Sequence, residues 1–289
     1  MAVKRKSAIF LAILAAALYA LSSPFSKLLL QEIPSAVMAG LLYLGAGFGM
    51  SVIRLVQKAA GTSSSEKKLT KSDLPYTVGM VLLDILAPLF LMYGLTMTTA
   101  ANASLLNHFE IVATSLIAML VFREKISKRL WAAVSLVTLA SILLTVEDAG
   151  SFRFSLGSLF VLLACICWGF ENNCTRKISG KNPLQIVMIK GFGSGTGSLL
   201  IALAIGQRLP GLPYIVCAMV LGFVAYGLSI YCYIYAQRTL GAARTSTYYA
   251  VAPFIGTALS LIIFREPPDI IFLIALVIMA LGAYLAATD

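Results

Sequence analysis

Two stretches of equal length decide the fold of this chain: ASLLNHFEIVATSLIAMLVFRE, residues 103–124, and TSTYYAVAPFIGTALSLIIFRE, residues 245–266. Both are largely apolar and both end in FRE, at an offset of 142 positions. The same offset aligns Tyr93 with Tyr235, and an offset of 149 aligns Tyr19 with Trp168 nearer the start of each half. Similarity at nearly constant offsets predicts that the chain contains an internal repeat.

The composition places this repeat in a membrane. The chain has 289 residues, of which 60% are hydrophobic and 12% charged, and its mean hydropathy is +0.91. Soluble domains are roughly 25% charged, and a bilayer core about 30 Å thick needs roughly 20 apolar residues per helix. Windows of that size predict spans at residues 7–30, 34–56, 75–96, 101–122, 129–146, 156–177, 184–206, 212–236, 243–264 and 269–287.

Ten spans divide into two sets of five. We therefore predict an all-α membrane protein of two five-helix repeats, residues 1–149 and 150–289. The two offsets differ because the first half has a longer polar loop, residues 61–73, between its second and third spans. Five is odd, so the second repeat crosses the membrane with inverted topology. Inverted repeats around an axis in the membrane plane are typical of secondary transporters.

The net charge of +10 is concentrated in particular loops, and this distribution does not indicate a nucleic acid partner. Seventeen of the 22 basic residues lie in the N-terminal segment and in alternate loops on the same predicted side. By the positive-inside bias, this predicts cytoplasmic N- and C-termini in a bacterial cytoplasmic (inner) membrane. The first apolar segment is too long for a cleavable signal peptide. The five cysteines lie in apolar spans without metal-ligand spacing, so we expect neither a metal site nor a disulfide.

The first and fourth spans of each half carry a resemblance to a known family. The first-span patterns are ALYALSSPFSKLLL and CICWGFENNCTRKI, and the two stretches that end in FRE are the fourth-span patterns. Together they resemble the drug/metabolite transporter superfamily, in particular transporters with two EamA domains. In that family the fourth span often contains an acid followed by proline. Glu110 matches this acid but Ile111 replaces the proline, whereas Ala252 replaces the acid and Pro253 is kept. Arg123 and Arg265 stand where the family often has glycine.

Polar residues inside the spans are candidates for a solute cavity, because charges in a membrane are costly and usually face the interior of the bundle. Asp84 lies four residues before Pro88, on nearly the same helix face. The pair indicates either a cation or proton site in a partly open helix, or a structural kink beside a hydrogen-bonded acid.

The fourth span adds Asn107 and Glu110, which share a face, and His108 on a neighbouring stripe. Glu110 is a candidate for a cavity acid that exchanges a proton with either side of the membrane. His108 could pass a proton or bind substrate, although a single histidine near a helix end is more often an interfacial group.

The sixth and seventh spans place Glu171, with Asn172 beside it, at a depth similar to that of Lys190. Both Glu171 and Lys190 lie about six residues, roughly 9 Å, from the same end of the bundle. They could bind the two ends of a zwitterion or form a structural ion pair.

The first span is interrupted by Pro24 and carries Lys27. Either Lys27 extends to the interface, or the break directs it into the mouth of a water-filled cavity. The equivalent stretch of the sixth span, residues 170–176, is also polar, and Trp168 just before it is a further candidate for the cavity. Glycines in the second and seventh spans predict close helix packing. Tyr19, Tyr226 and Tyr249 could line a pocket for an organic cation or aromatic solute, or anchor at the interface.

These features predict a secondary-active transporter that works by alternating access on amino acids or related metabolites, with export as one direction. The alternatives are an exporter of drugs or organic cations and, more distantly, a membrane sensor or receptor. Proton coupling, uniport and exchange all stay open. No phosphate-binding loop, HExxH motif or nucleophile with an activating partner is present, so we expect no cofactor and no enzyme. The expected partners are a small-molecule substrate and membrane lipid.

Overall fold

The fold is a helical bundle, described by a computed structural model for residues 2–61, 66–121, 123, 127–148, 153–240 and 248–287. Its helices are α1 (Ala2–Ala20), α2 (Ser22–Leu29), α3 (Ser35–Ala59), α4 (Leu74–Met97), α5 (Ala100–Leu106), α6 (Phe109–Leu120), α7 (Lys128–Thr145), α8 (Leu156–Ile178), α9 (Pro183–Ala204), α10 (Leu212–Gly222), α11 (Ser229–Leu240), α12 (Ala252–Phe264) and α13 (Ile270–Ala287). A 3₁₀ turn, Lys71–Asp73, precedes α4, and a π-helical segment, Phe223–Leu228, joins α10 to α11.

The helices confirm the predicted ten-span architecture. Eight helical segments of the described chain are long and apolar enough to cross a membrane, and Ala252–Phe264 and Ile270–Ala286 are shorter apolar helices. α1 and α2 together form the first span, and α5 and α6 form the fourth. The predicted ninth span begins at residue 243, but residues 243–247 lie outside the described part. Many leucine, isoleucine and valine side chains are exposed on the outside of the bundle, as expected where lipid is the solvent.

A short antiparallel strand pair joins the two halves and was not expected from the sequence. β1 (Val146–Asp148) pairs with β2 (Arg153–Phe154). The predicted boundary between residues 149 and 150 falls between these strands, outside the described residues, and stays a prediction.

The first span is broken where its sequence indicates. The turn at Leu21 separates α1 from α2, and Pro24 is the third residue of α2. Proline has no amide hydrogen, so the carbonyl four residues before it has no helical donor. The Leu21 amide instead bonds to the Leu18 carbonyl in a tighter turn, at 3.4 Å. The break leaves the side chains of Ser22 and Ser23 buried in the bundle.

The packing follows a two-fold relation between the repeats. The second span (α3) packs on the seventh (α9), the fourth (α5) on the ninth (α12), and the fifth (α7) on the tenth (α13), so each meets its own counterpart. The third span (α4) packs on the sixth (α8). The first span (α1) packs on the eighth (α11), and this contact is equivalent, because the first span is the counterpart of the sixth and the third is the counterpart of the eighth. Such reciprocal contacts are what a two-fold axis generates.

The arginine of each FRE motif has a left-handed backbone, with φ of 56° at Arg123 and 54° at Arg265. Arg265 caps the end of α12, where its amide bonds to the Leu261 carbonyl at 3.0 Å. The repeat is therefore visible in the backbone conformation as well as in the sequence.

Glycines bring several helices into close backbone contact, as predicted for the second and seventh spans. A side chain on Gly191 would lie 2.4 Å from the Gly47 nitrogen. The tightest approaches join α3 to α10, since a Cβ would lie 2.0 Å from the Met219 oxygen at Gly45 and 1.9 Å from the Leu42 oxygen at Gly222. These contacts fix the second span at the centre of the bundle.

Candidate functional site

Three buried ionisable side chains meet between the two repeats. The Lys190 ammonium on α9 lies 2.7 Å from Glu171 Oε1 on α8 and 3.3 Å from Asp84 Oδ2 on α4. Asp84 is 0% exposed, Glu171 2% and Lys190 7%, so these groups contact neither lipid nor bulk water. The predicted Glu171–Lys190 pair is present, and Asp84 joins it as a third member that the spacing did not indicate. We call these three residues the ionic cluster.

Hydroxyl groups complete the ionic cluster. Tyr43 on α3 donates a hydrogen bond to Asp84 Oδ1 at 2.9 Å. Thr175, one turn after Glu171 on α8, donates to Glu171 Oε1. Lys190 is thus shared by two carboxylates, and each carboxylate also accepts a hydrogen bond from a hydroxyl group, as buried charges require. Tyr43 was not predicted, because its neighbours along the helix, residues 36–50, are small or apolar.

Glu110 has a neutral partner rather than a cation. The Asn172 amide donates to Glu110 Oε1 at 2.6 Å and lies 3.3 Å from the Thr114 hydroxyl. The close approach of α6 and α8 depends on Gly169, where a side chain would meet Ala113 at 2.7 Å. Asn172 follows Glu171 directly, so the Glu110 carboxylate and the ionic cluster meet α8 at the same depth on adjacent faces, about 100° apart.

The predicted tyrosines form one connected group. The Tyr226 ring lies 6.0 Å from the Tyr19 ring and 5.2 Å from the Tyr43 ring, and Tyr19 lies 5.9 Å from Tyr249. The Tyr226 hydroxyl also lies 2.8 Å from Ser22 Oγ. These aromatic contacts connect the ionic cluster to the first and ninth spans. Trp168, the predicted counterpart of Tyr19, is buried in the main apolar core.

Two helix breaks lie at equivalent positions of the repeats. The fourth span is interrupted at Asn107 and His108, between α5 and α6, and the ninth at Ala250 and Val251, before α12. The offset of 142 relates His108 to Ala250. Interrupted helices at corresponding positions of inverted halves are where transporters of this architecture bind solute.

A small cavity lies where these breaks meet the first span. Its volume is about 10 Å³, space for about one water molecule. The lining residues are Tyr19, Ala20, Ser23, Ser104, Asn107, Ala252, Pro253 and Gly256. The water-filled cavity expected from the sequence is therefore closed here. The closure is tight because Gly256 has no side chain and α12 lies against Ala20 and Ser104.

His108 and Lys27 lie apart from the ionic cluster. The His108 ring is 1% exposed and lies 4.6 Å from the Phe254 ring, beside the cavity. The Lys27 ammonium donates to the backbone carbonyl of Leu95 and to that of Thr98 at 2.8 Å. Lys27 therefore caps the carboxyl end of α4, a role that neither sequence interpretation described.

Comparisons with known proteins agree with this architecture. The model of the EamA-like transporter family matches residues 6–146 and again residues 155–288. A relative from Methanothermobacter thermautotrophicus, described as an uncharacterized transporter, is 25% identical over 288 residues, covering 92% of this chain and 82% of the relative. A solved crystal structure, 16% identical, covers 98% of this chain and 97% of its own with a TM-score of 0.69, which is a similarity of fold.

Proposed function

The chain belongs to the EamA-like transporter family, and from that premise we propose that it is a secondary-active carrier that moves a small organic solute by alternating access. The proposal extends to a bacterial cytoplasmic membrane as its location, with both termini on the cytoplasmic side, as the loop charges indicate.

The observation that carries the proposal is the polar interior between the two repeats. Asp84 comes from the first repeat, whereas Glu171 and Lys190 come from the second, and all three are buried inside a membrane bundle. Buried ionisable groups are costly in a membrane, and their usual use there is to bind solutes or coupling ions. The break in the fourth span and its equivalent in the ninth lie beside this interior.

The closed cavity supports an occluded conformation as the resting state. A volume of about 10 Å³ admits no solute larger than water, so loading requires the repeats to separate on one side. A two-fold related bundle has two equivalent ways to open, one toward each side of the membrane. That property is the physical basis of alternating access.

For the solute, we favour amino acids or related metabolites, with export as the direction to test first. The site offers both carboxylates and a lysine, which suits a molecule that carries both charges. The alternative is an exporter of drugs or organic cations. Two observations favour it: Glu110 forms no salt bridge among the described residues, and Tyr19, in ring contact with Tyr249, lines the cavity.

The test is solute flux through purified protein in liposomes. Vesicles loaded with a radiolabelled mixture of the twenty standard amino acids should release label faster with the protein than without it. Excess external amino acids should accelerate exchange, and tetraphenylphosphonium should not. Flux of tetraphenylphosphonium but not of amino acids would select the cation alternative, and no protein-dependent flux of either probe would contradict the carrier.

Proton coupling through Glu110 has a separate test. An imposed pH gradient should drive amino acid flux in the native protein, and Glu110→Gln should remove that drive while exchange at equal pH persists. Glu32→Gln is the matched control, since Glu32 is exposed in the loop after α2. Flux that ignores the gradient in the native protein would leave uniport or exchange.

A further inference from the structure

We propose that the N-terminus of α12, together with Ser104 and Asn107, is the subsite that binds the carboxylate of the solute. This inference rests on the proposed carrier function and specifies one half of its binding site. Three independent features of the structure carry it.

The first feature is an uncapped helix N-terminus inside the bundle. The Val251 side chain makes no capping hydrogen bond, and Pro253 has no amide hydrogen. The Ile255 amide bonds to the Val251 carbonyl at 3.1 Å, which closes the first turn of the helix. Free amides at the positive end of a helix favour an anion.

The second feature is a buried hydroxyl without a partner. Ser104 Oγ, which lines the cavity, makes no hydrogen bond within the described residues, and Ser104 is 2% exposed. Beside it, the Asn107 side-chain nitrogen donates a long bond of 3.5 Å to Ser23 Oγ. An unsatisfied buried polar group is costly, so Ser104 Oγ indicates a ligand that satisfies it.

The third feature is the asymmetry of charge between the two breaks. α6 carries Glu110 in its first turn, and the equivalent position in α12 is Ala252. The first break therefore offers a carboxylate, and the second offers amide hydrogens with no acid beside them. Asn107 lies at the break between α5 and α6, three residues before Glu110. The first break would therefore face the amine of an amino acid, and the second break would face its carboxylate.

The present cavity holds about one water, so the carboxylate enters only when α12 moves away from the first and fourth spans. A Cβ on Gly256 would lie 3.1 Å from the Ala20 oxygen and from Ser104 Oγ, which shows how closely the three spans approach. In the closed, empty protein a water molecule would occupy the subsite, and the solute would displace it.

The test compares amino acids with their amides on the full-length protein in detergent. We expect a mixture of the twenty amino acids to raise the unfolding temperature, because a solute that binds only the folded form stabilises it. A mixture of the corresponding amino acid amides, which lack the carboxylate, should not. Ser104→Ala should weaken amino acid binding roughly tenfold or more, the loss expected for a hydrogen bond to a charged group.

Stability separates binding from structure. Because Ser104 Oγ has no partner, Ser104→Ala should leave the unfolding temperature of the empty protein unchanged or higher. Ser198→Ala is the matched control, since Ser198 Oγ on α9 is equally buried and unpartnered but does not line the cavity. It should leave binding intact. Ser104→Cys keeps the shape with a weaker donor, and should bind weakly if Ser104→Ala fails to fold.

Equal stabilisation by amides, or full affinity in both Ser104 variants, would overturn the subsite. In that case, amino acid flux in liposomes would still support the carrier. Absence of both binding and flux would remove the subsite and the proposed solute class together.

Discussion

At the scale of single residues, the three charges of the ionic cluster stabilise one another, and none of them would be stable at its buried position without the others. Lys190 is the one lysine or arginine that the structure buries among its described residues, and it serves both Asp84 and Glu171. Desolvating three charges is expensive, and their mutual attraction with added hydrogen bonds offsets that cost. Removing one member therefore does more than remove one contact.

Lys190→Met tests this balance. The substitution leaves two carboxylates facing each other without their shared cation, so we expect a loss of about 3–5 kcal/mol in the free energy of unfolding. The measurement is chemical unfolding in detergent. The triple variant with Asp84→Asn and Glu171→Gln should recover much of the loss, because no uncompensated charge is left.

Lys181→Met is the matched control for that experiment. Lys181 lies 2.9 Å from Asp73, a distance close to that of the Lys190–Glu171 pair, but at the end of the bundle where water screens the pair. Both side chains keep contact with water, with 23% and 14% of their surface exposed, and ion pairs open to water contribute little. This variant should therefore stay within about 1 kcal/mol of the native protein. Native-like stability of Lys190→Met would refute the charge balance.

At the scale of elements, the ends and crossings of helices are fixed by backbone conformation. Among the described residues, five helices begin at side-chain caps, in which Thr99, Ser127, Ser155, Asn182 and Asp269 each accept a hydrogen bond from the amide three residues later. The FRE motifs end helices differently, with an arginine in the left-handed conformation that glycine adopts without strain. The family resemblance to glycine at this position thus has a conformational reason.

Arg265→Gly should stabilise the protein. Left-handed backbone costs a residue with a side chain roughly 1 kcal/mol, and glycine avoids that cost at the end of α12. We expect a gain of that order in unfolding experiments. Arg265→Ala removes the same charge but keeps the Cβ, so it should give no such gain. Equal effects of both substitutions would assign the change to charge instead.

Gly222→Ala tests the crossing of α10 and α3. The new methyl group would lie 1.9 Å from the Leu42 backbone oxygen, which no rotamer change can relieve. We expect a loss of about 3 kcal/mol or more, or failure to recover folded protein, since overpacking against backbone forces helices apart. Gly180→Ala is the control, because a Cβ at Gly180 would contact nothing within 4 Å. Tolerance of Gly222→Ala, measured by chromatographic homogeneity and unfolding, would contradict the packing.

At the scale of the whole molecule, the sequence predicts the spans well because the bilayer sets their length and polarity. All ten correspond to helices. The offset of 142 relates Asp84 to Tyr226, and the offset of 149 relates Ser22 to Glu171. The charged contacts around Lys190 thus correspond to the neutral Ser22–Tyr226 hydrogen bond. Contacts between helices were harder to predict, because periodicity gives the helix face on which a residue lies but not the helix that packs against it. The bonds of Lys27 to the end of α4 and of Tyr43 to Asp84 were therefore not predicted.

The contacts related by the two-fold axis predict which helices move during transport. The third span packs on the sixth more extensively than the first packs on the eighth, although the two-fold relation makes these pairs equivalent. In the opposite state of the carrier the two pairs should exchange, so the third and sixth spans must loosen. The fifth and tenth spans contact their own counterparts and need not separate. A covalent link between the third and sixth spans should therefore stop transport, whereas one between the fifth and tenth should not.

Paired cysteines make this comparison directly. A Cβ at Gly157 would lie 2.9 Å from the Met97 Cβ, and one at Gly282 would lie 3.3 Å from the Leu136 Cβ, both close to disulfide reach after small backbone shifts. Oxidised Met97→Cys with Gly157→Cys should lose amino acid flux and regain it on reduction. Leu136→Cys with Gly282→Cys should transport equally in both redox states. If the first link leaves flux unchanged, the third and sixth spans move as one body, and the exchange of equivalent contacts cannot be the transport motion.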